Sequence, residues 1–317
     1  MKIRAKLNNY SSIFHSGVGI FFCVWILLGG SCKNATVKEE PSDTPTSGEL
    51  AVLLDESYQL LFDTEVYSFE ALYPNAKVHC LYGTEEKAIE DLLMDSVKVA
   101  VLGRPLTMKE KATFKRHDIF PLETKIGTDA IAFVVNQGCM DTLLSETAIE
   151  QLLEGKEFGG LKNIVFDHPN SANYHYLKDS LLNGKELGRN CFALNNNPAV
   201  FDYIAQHPNS LGVISFNWIS DKKDSVSQKL LKKVKVVAIQ KKGGDKGYFK
   251  PYQAHISTGE YAFTRPIFMV NRQTRNGLGR GFVAFVAGNV GQRIILKMGL
   301  LPAIMPSRQV EINVETK

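Results

Sequence analysis

The chain has 317 residues, with 37 Lys and Arg against 33 Asp and Glu, a formal net charge of +4, and 44% hydrophobic residues. A balance this close to neutral lacks the electrostatic signature of a nucleic-acid binder and provides no general field to draw anions in, so any anion site must be local. The length suits one large domain or two lobes of ordinary size.

The first fifty residues read as a targeting segment. Lys2, Arg4 and Lys6 form a basic start, no acidic residue precedes Glu39, and an apolar run follows over 18–28 (VGIFFCVWILL). That run is too short to cross a bilayer, which takes about 20 apolar residues, but it fits the core of a signal peptide. The segment Leu28-Gly29-Gly30-Ser31-Cys32 resembles a lipobox. The resemblance implies a signal peptide over 1–31 and lipid on Cys32, with more than one acyl chain for stable anchoring. Losing the three basic residues leaves a mature chain of charge +1. Residues 33–48 are polar, with Pro41 and Pro45 and no aromatic residue. They carry too little apolar surface to fold, so 32–48 reads as a flexible, lipid-anchored tether. Cys23 leaves with the signal, and Cys80, Cys139 and Cys191 remain in the folded part. An odd, widely spaced set is no disulfide framework. With no CxxC or HExxH, neither a metal nor a cofactor is expected.

From residue 50 onward, short β-like runs alternate with helical periodicity. Strands are predicted at 51–54, 77–82 and 97–102, and helices at 58–72, 85–94 and 107–116. Thr107 and Glu110 have capping-box spacing at the start of the last helix. A long apolar strand follows at 129–135, and then the pattern restarts. Helices are predicted at 145–153, 171–182 and 199–206, with strands at 162–166, 211–216 and 234–239. Residues 241–247 (KKGGDKG) read as a loop, 261–270 as a strand kinked at Pro266, and 281–298 as one long helix. This alternation argues for βαβ units and mostly parallel sheets. Two such halves joined by a long strand predict a two-lobed α/β protein, with lobe 1 over 49–128 and 240–317 and lobe 2, including the hinge strands, over 129–239.

Ligands of open α/β sheets bind beyond the carboxyl ends of the strands, so the strand-to-helix loops are the places for chemistry. Four stand out: Asp55-Glu56-Ser57-Tyr58, Tyr82-Gly83-Thr84-Glu85, Gly103-Arg104-Pro105-Leu106-Thr107, and Asp167 to Asn173. Asp55 or Ser57 can cap the first following helix. Free N–H groups at three helix starts together with one arginine would make a compact anion site.

The stretches DESYQLLFDTEVYSFEALYPNAKV, VLGRPLTMKE, DAIAFVVN, VFDHPNSANYHYLKDS, LGVISFNWISD, PYQAH, YAFTRPIFMV and GLGRGFVAFVAGNVGQRIILKMGLLPA follow one another over residues 49–312. In that order they resemble the substrate-binding proteins of phosphate ABC transporters, in a divergent lipoprotein branch. The resemblance implies a type 2 periplasmic-binding fold, each lobe a mostly parallel sheet flanked by helices, with the ligand cleft between them. It implies phosphate held by Ser57 and Tyr58, by Thr84, and by Ser171-Ala172-Asn173 in the position of a family Ser-Gly-Thr. Two departures are visible. Arg104 stands where the family has a proton-accepting aspartate, and Asp167 stands where it has an arginine. Arg104 therefore becomes the expected anion contact, and Asp167 or Asp129 the candidate proton acceptor.

The expected function is capture of an oxyanion, phosphate foremost, for an ABC importer or phosphate sensing. The protein would be a monomer on the periplasmic side of a bacterial membrane, inner or outer, with a transporter permease as partner. The alternative is a surface lipoprotein using the same fold for adhesion, sensing or scaffolding. The histidines are scattered, and neither a GxSxG nor a phosphate-binding P-loop occurs, so no enzyme is expected.

Overall fold

Runs such as AVLL and VAVL are apolar on both faces, which suits strands covered by helices on either side of a parallel sheet. The computed structural model describes residues 43–244 and 247–307, all within one unit, Pro41–Lys317. The strands are β1 (Gly48–Leu54), β2 (Ala76–Tyr82), β3 (Val99–Leu102), β4 (Leu122–Asn136), β5 (Leu143–Ser145), β6 (Asn163–Phe166), β7 (Cys191–Ala193), β8 (Ser210–Ser215), β9 (Val234–Val236), β10 (Ala238–Gln240), β11 (Thr264–Asn271) and β12 (Leu301–Pro302). The α-helices are α1 (Gln59–Leu72), α2 (Glu85–Leu93), α3 (Met108–Arg116), α4 (Glu146–Leu153), α5 (Ala172–Leu182), α6 (Asn197–Gln206), α7 (Ser225–Leu231), α8 (Gln253–Ser257), α9 (Leu278–Ala287) and α10 (Asn289–Lys297).

One curled sheet runs in the order β2-β1-β3-β11-β4-β8-β6-β7, with β9 and β12 also pairing with β4. Its first half is parallel across β2, β1 and β3, and its second half is parallel across β7, β6 and β8. Strand β4 belongs to both lobes: it pairs with β11 as far as Ala130, then with β8 from Ile131 and β9 from Val134. The carboxyl ends of β1, β2 and β6 lead into the loops that the sequence singled out. Side-chain caps start several of the helices. Thr84, Thr107, Ser145 and Ser171 each accept from a first-turn N–H, and Thr107 with Glu110 completes a capping box.

Three expectations change. The long helix over 281–298 is two helices broken at Gly288, and the buried Gln292 side chain holds the break by donating to Val286 O and Ile126 O. The kink expected at Pro266 is a shift of register one residue later, between Ile267 and Phe268. The tether expected over 32–48 ends sooner, because Asp43 to Ser47 dock on the fold and Gly48 opens β1. The cause is a long-range cap. The cap position of α9 is Gly277, which has no side chain, so Asp43 accepts from the Leu278 N–H at 2.7 Å and from Gln273 at 2.7 Å. A Cβ at Gly281 would lie 1.8 Å from the Pro45 carbonyl, so only glycine admits this segment. The signal peptide, Cys32 and residues 32–42 lie outside the described residues.

Helix α1 packs on α9 through Phe69, whose ring lies 5.2 Å from those of Phe282 and Phe285. The same helix buries Glu65 completely, with neither carboxyl oxygen hydrogen-bonded among the described residues. Burial raises its pKa from 4.5 to about 8. Below pH 4.5 folded and unfolded chains both hold this proton, and between 4.5 and about 8 only the folded chain does. Glu65 therefore contributes a fall in stability as pH rises through that window. Glu65→Gln should match the wild type in acid and exceed it near pH 8 by about 2–4 kcal/mol. Urea unfolding at both pH values checks this, and an unaltered pH slope would show that Glu65 is not the titrating group.

Candidate functional site

A cleft of about 370 Å³ lies where the strand-to-helix loops meet. Asp55, Glu56 and Gln59 line it from the loop after β1, and Tyr82, Gly83 and Thr84 from the loop after β2. Asp167, His168, Asn170 and Ser171 line it after β6, and Asn195 and Asn196 after β7. A larger groove of about 780 Å³, edged by Lys222, Lys223 and Lys297, shares no lining residue with the cleft and contains none of the expected site residues.

Asp55 organises the first loop. Its Oδ1 accepts from the Ser57 N–H at 2.9 Å, and its carbonyl accepts from the Tyr58 N–H. Its Oδ2 accepts from the Ala172 N–H at 3.0 Å, across the sequence at the start of α5. Asp167 is equally well satisfied. It accepts from the Ser171 hydroxyl at 2.6 Å, from Asn173 Nδ2 at 3.0 Å and from Asn197 Nδ2 at 3.1 Å. Asn217 Nδ2 donates to the Ser57 carbonyl at 3.0 Å.

Of the expected contacts, the structure brings Thr84 and Ser171 to the cleft. Ser57, Ala172 and Asn173 lie beside it, buried, and Tyr58 is fully buried below. The backbone donors expected to hold an anion at Ser57, Tyr58 and Ala172 are already taken by Asp55. Arg104 is not a lining residue. Its Nη1 and Nη2 each lie 2.9 Å from Glu110, and its Nε lies 2.9 Å from Glu85. The Arg104 guanidinium thus clamps the start of α2 to the start of α3. A bidentate pair of this kind is satisfied without a ligand.

Among the described residues, no Lys or Arg lines the cleft. Its electrostatics are acidic, and burial restrains the acids. Burial first, then the charges of Asp167 and Asp55, raises Glu56 to about 7. Burial and the charge of Asp55 raise Asp167 to about 6, while the Ser171 hydrogen bond and Arg265 pull it back.

The nearby cation is Arg265 on β11, 1% exposed. It lies opposite Asp129 in the β11–β4 register and donates to Asp129 Oδ2 from Nη2 at 3.1 Å and from Nε at 3.3 Å. Ser215 donates to the same oxygen at 2.6 Å. Burial opposes the Arg265 charge, but Tyr58, Asp129 and Asp55 hold its pKa up. The guanidinium lies 5.1 Å from the centre of the Tyr58 ring. Arg265 Nη1 and the Tyr58 hydroxyl have no hydrogen-bond partner among the described residues. A Cβ at Gly103 would lie 2.8 Å from that hydroxyl, so glycine admits its close approach. Sequence reasoning did not place Arg265, Asn197 or Asn217 in the site, and it took Asp55 only for a cap. The signal for Arg265 was there: a lone arginine within the apolar run YAFTRPIFMV.

Residues 39–290 match the family model of the PBP superfamily domain, most of the chain. The chain belongs to the PBP superfamily. Solved structures agree on the fold. A Clostridium perfringens protein named for phosphate ABC transport and solved with bound phosphate has 17% identity and a TM-score of 0.66, covering 81% of this chain and 100% of its own. An ABC-type phosphate transport receptor from Vibrio cholerae has 17% identity and a TM-score of 0.61, covering 80% and 100%. The regulatory domain of MetR from N. meningitidis, a LysR-family regulator, has 10% identity and a TM-score of 0.54, covering 81% and 100%. No curated protein sequence matches this PBP-superfamily chain.

Two substitutions separate the roles of the arginines. Arg265→Met leaves Asp129 charged and buried without its cation and should cost about 3–5 kcal/mol, largely recovered in the Arg265→Met/Asp129→Asn double variant. Arg104→Ala should lower stability by about 1–3 kcal/mol through the lost Glu110 and Glu85 bonds, with solute affinity unchanged. Denaturant unfolding with calorimetry on both proteins checks the pair. A large affinity loss in Arg104→Ala would return that residue to the binding set.

Proposed function

We propose that this protein is a lipid-anchored solute-binding protein that captures an oxyanion, phosphate foremost, in the cleft between its lobes. It would present the solute to an ABC importer permease or to a phosphate-sensing system on the periplasmic side of a bacterial membrane. The observation that carries this reading is the convergence of helix starts behind Asp55, Thr84 and Ser171 on one cleft of about 370 Å³. Helix starts carry N–H groups and a partial positive charge, the usual receptor for a small anion, and here an incoming anion would have to displace Asp55 from the Ala172 N–H. Arg265 lies close enough to act electrostatically on Asp167, and Nη1 of Arg265 and the Tyr58 hydroxyl are donors without partners among the described residues. The phosphate transport proteins of the same fold support the choice of ligand. The Cys32 lipid anchor rests on the lipobox resemblance. The binding role needs no catalytic group.

A second reading is favoured by the acidic lining. Asp55, Glu56 and Asp167 face the cleft where an anion binder would have cations. On this reading the fold serves as a sensing, adhesion or scaffold module; the MetR regulatory domain shows the same fold in a regulator.

Calorimetry with phosphate and sulfate on the mature protein separates the two. On the binding reading, sulfate, whose charge is constant over this range, binds better below about pH 6, where Asp167 and Glu56 are mostly protonated, than above about pH 7. The expected loss is about tenfold, the equivalent of about 1.4 kcal/mol. Absence of binding by either anion at millimolar concentration throughout would favour the module reading.

A further inference from the structure

The position an anion would take at the start of α5 already holds a carboxylate. Asp55 is 6% exposed, and its two oxygens are divided between lobes. Oδ1 accepts from Ser57 in its own loop at 2.9 Å, and Oδ2 accepts from the Ala172 N–H at 3.0 Å. Ala172 is the first residue of an eleven-residue helix whose cap, Ser171, is occupied in holding the Tyr174 N–H. Its own N–H is one of the orphan donors of the first helical turn. Two further bonds cross the same seam: Asn217 Nδ2 to the Ser57 carbonyl at 3.0 Å, and a longer one from Asn173 Nδ2 to the Ser57 hydroxyl at 3.5 Å. The lobes thus meet through the residues expected to grip a solute.

We infer that Asp55 is an intramolecular ligand of the second lobe: it takes the place of a captured anion, draws the lobes together with no solute present, and sets the specificity of the cleft by competing for the Ala172 N–H. The physical grounds are direct. A charged acceptor on a backbone donor makes a bond roughly twice as strong as a neutral one, and one held on the same chain acts at high effective concentration. An incoming oxyanion must displace Asp55 from Ala172 and then tolerate its charge nearby. A solute that brings a donor of its own, such as a protonated oxyanion, can hydrogen-bond to the displaced carboxylate, whereas a fully ionised one only repels it. The part concerning affinity rests on the oxyanion reading above, but the clasp of Asp55 on Ala172 does not.

The test uses the mature chain, Asp55→Ala and Ala172→Pro. Proline removes the N–H itself and is well tolerated at a first helical position, with Ser171 before it already extended at φ −72° and ψ 158°. It remains informative even if Asp55→Ala does not fold. X-ray scattering with and without phosphate reads the separation of the lobes, and hydrogen exchange reads the amides around Ala172. The wild type should scatter alike in both conditions. Both variants should expand without phosphate. Asp55→Ala should also expose the Ala172 amide, contract on adding phosphate, and bind it about tenfold more tightly, a difference of about 1.4 kcal/mol. Ala172→Pro should stay expanded. Variants that scatter as the wild type does without phosphate would overturn the inference. An expanded Asp55→Ala that ignores phosphate would uphold the clasp and sink the oxyanion reading instead.

Discussion

The buried pair of Arg265 and Asp129 stands at the point on which the two-lobed arrangement depends. Asp129 lies on β4 just before that strand leaves β11 and begins to pair with β8. Arg265 reaches it from β11, and Ser215 from the end of β8. One carboxylate oxygen thereby ties three strands from both lobes. Such a pair adds little net stability over an apolar replacement, because desolvation offsets the attraction, but breaking one side leaves a bare charge in the interior. It acts as a constraint on geometry: the strands must meet where the two charges meet.

Above that pair the molecule has gathered more acid than a general anion receptor would. Asp55, Glu85, Asp129 and Asp167 all fall near Arg265, Glu56 lies beside Asp55 and Asp167, and the excess is managed locally. Asp55 is bonded by two backbone N–H groups, Asp167 by a hydroxyl and two amides, and Glu85 by Arg104 and the Gly103 N–H. Glu56 is left with the least support, and its pKa is accordingly raised to about 7. The cleft is therefore polar and crowded, and two of its acids, Glu56 and Asp167, are held above the usual carboxylate range by burial and by neighbouring carboxylates.

Much of the fold was legible in the sequence because it is written in local terms. Period-two and period-3.6 patterns gave most strands and helices, and the caps at Thr84, Thr107, Ser145 and Ser171 needed only their own next turn. What escaped was long-range. Asp43 caps a helix more than two hundred residues away, so a polar stretch that reads as a tether is partly docked. Gln292 breaks an apolar helix by seizing Val286 O and Ile126 O, and no periodicity records that. For the candidate site, three of the four loops that the sequence singled out line the cleft and the one carrying Arg104 does not, while the partner of each side chain was not legible. Arg104 read as an anion contact because it ends a strand, yet Glu110 lies one helical start away and Glu85 comes from the neighbouring loop.

By itself, then, the sequence determined the α/β alternation and three of the loops that meet at the cleft, those after β1, β2 and β6, since each depends on residues close together in the chain. Only the tertiary structure decided which charges face the cleft and which are consumed in holding it. That choice turns on distances between residues far apart in sequence: Asp55 to Ala172, Asp129 to Arg265, and Asn217 to Ser57. A carboxylate reads the same in sequence whether it awaits a solute or replaces one. The difference is the N–H it meets after folding, and at Asp55 that N–H belongs to the other lobe.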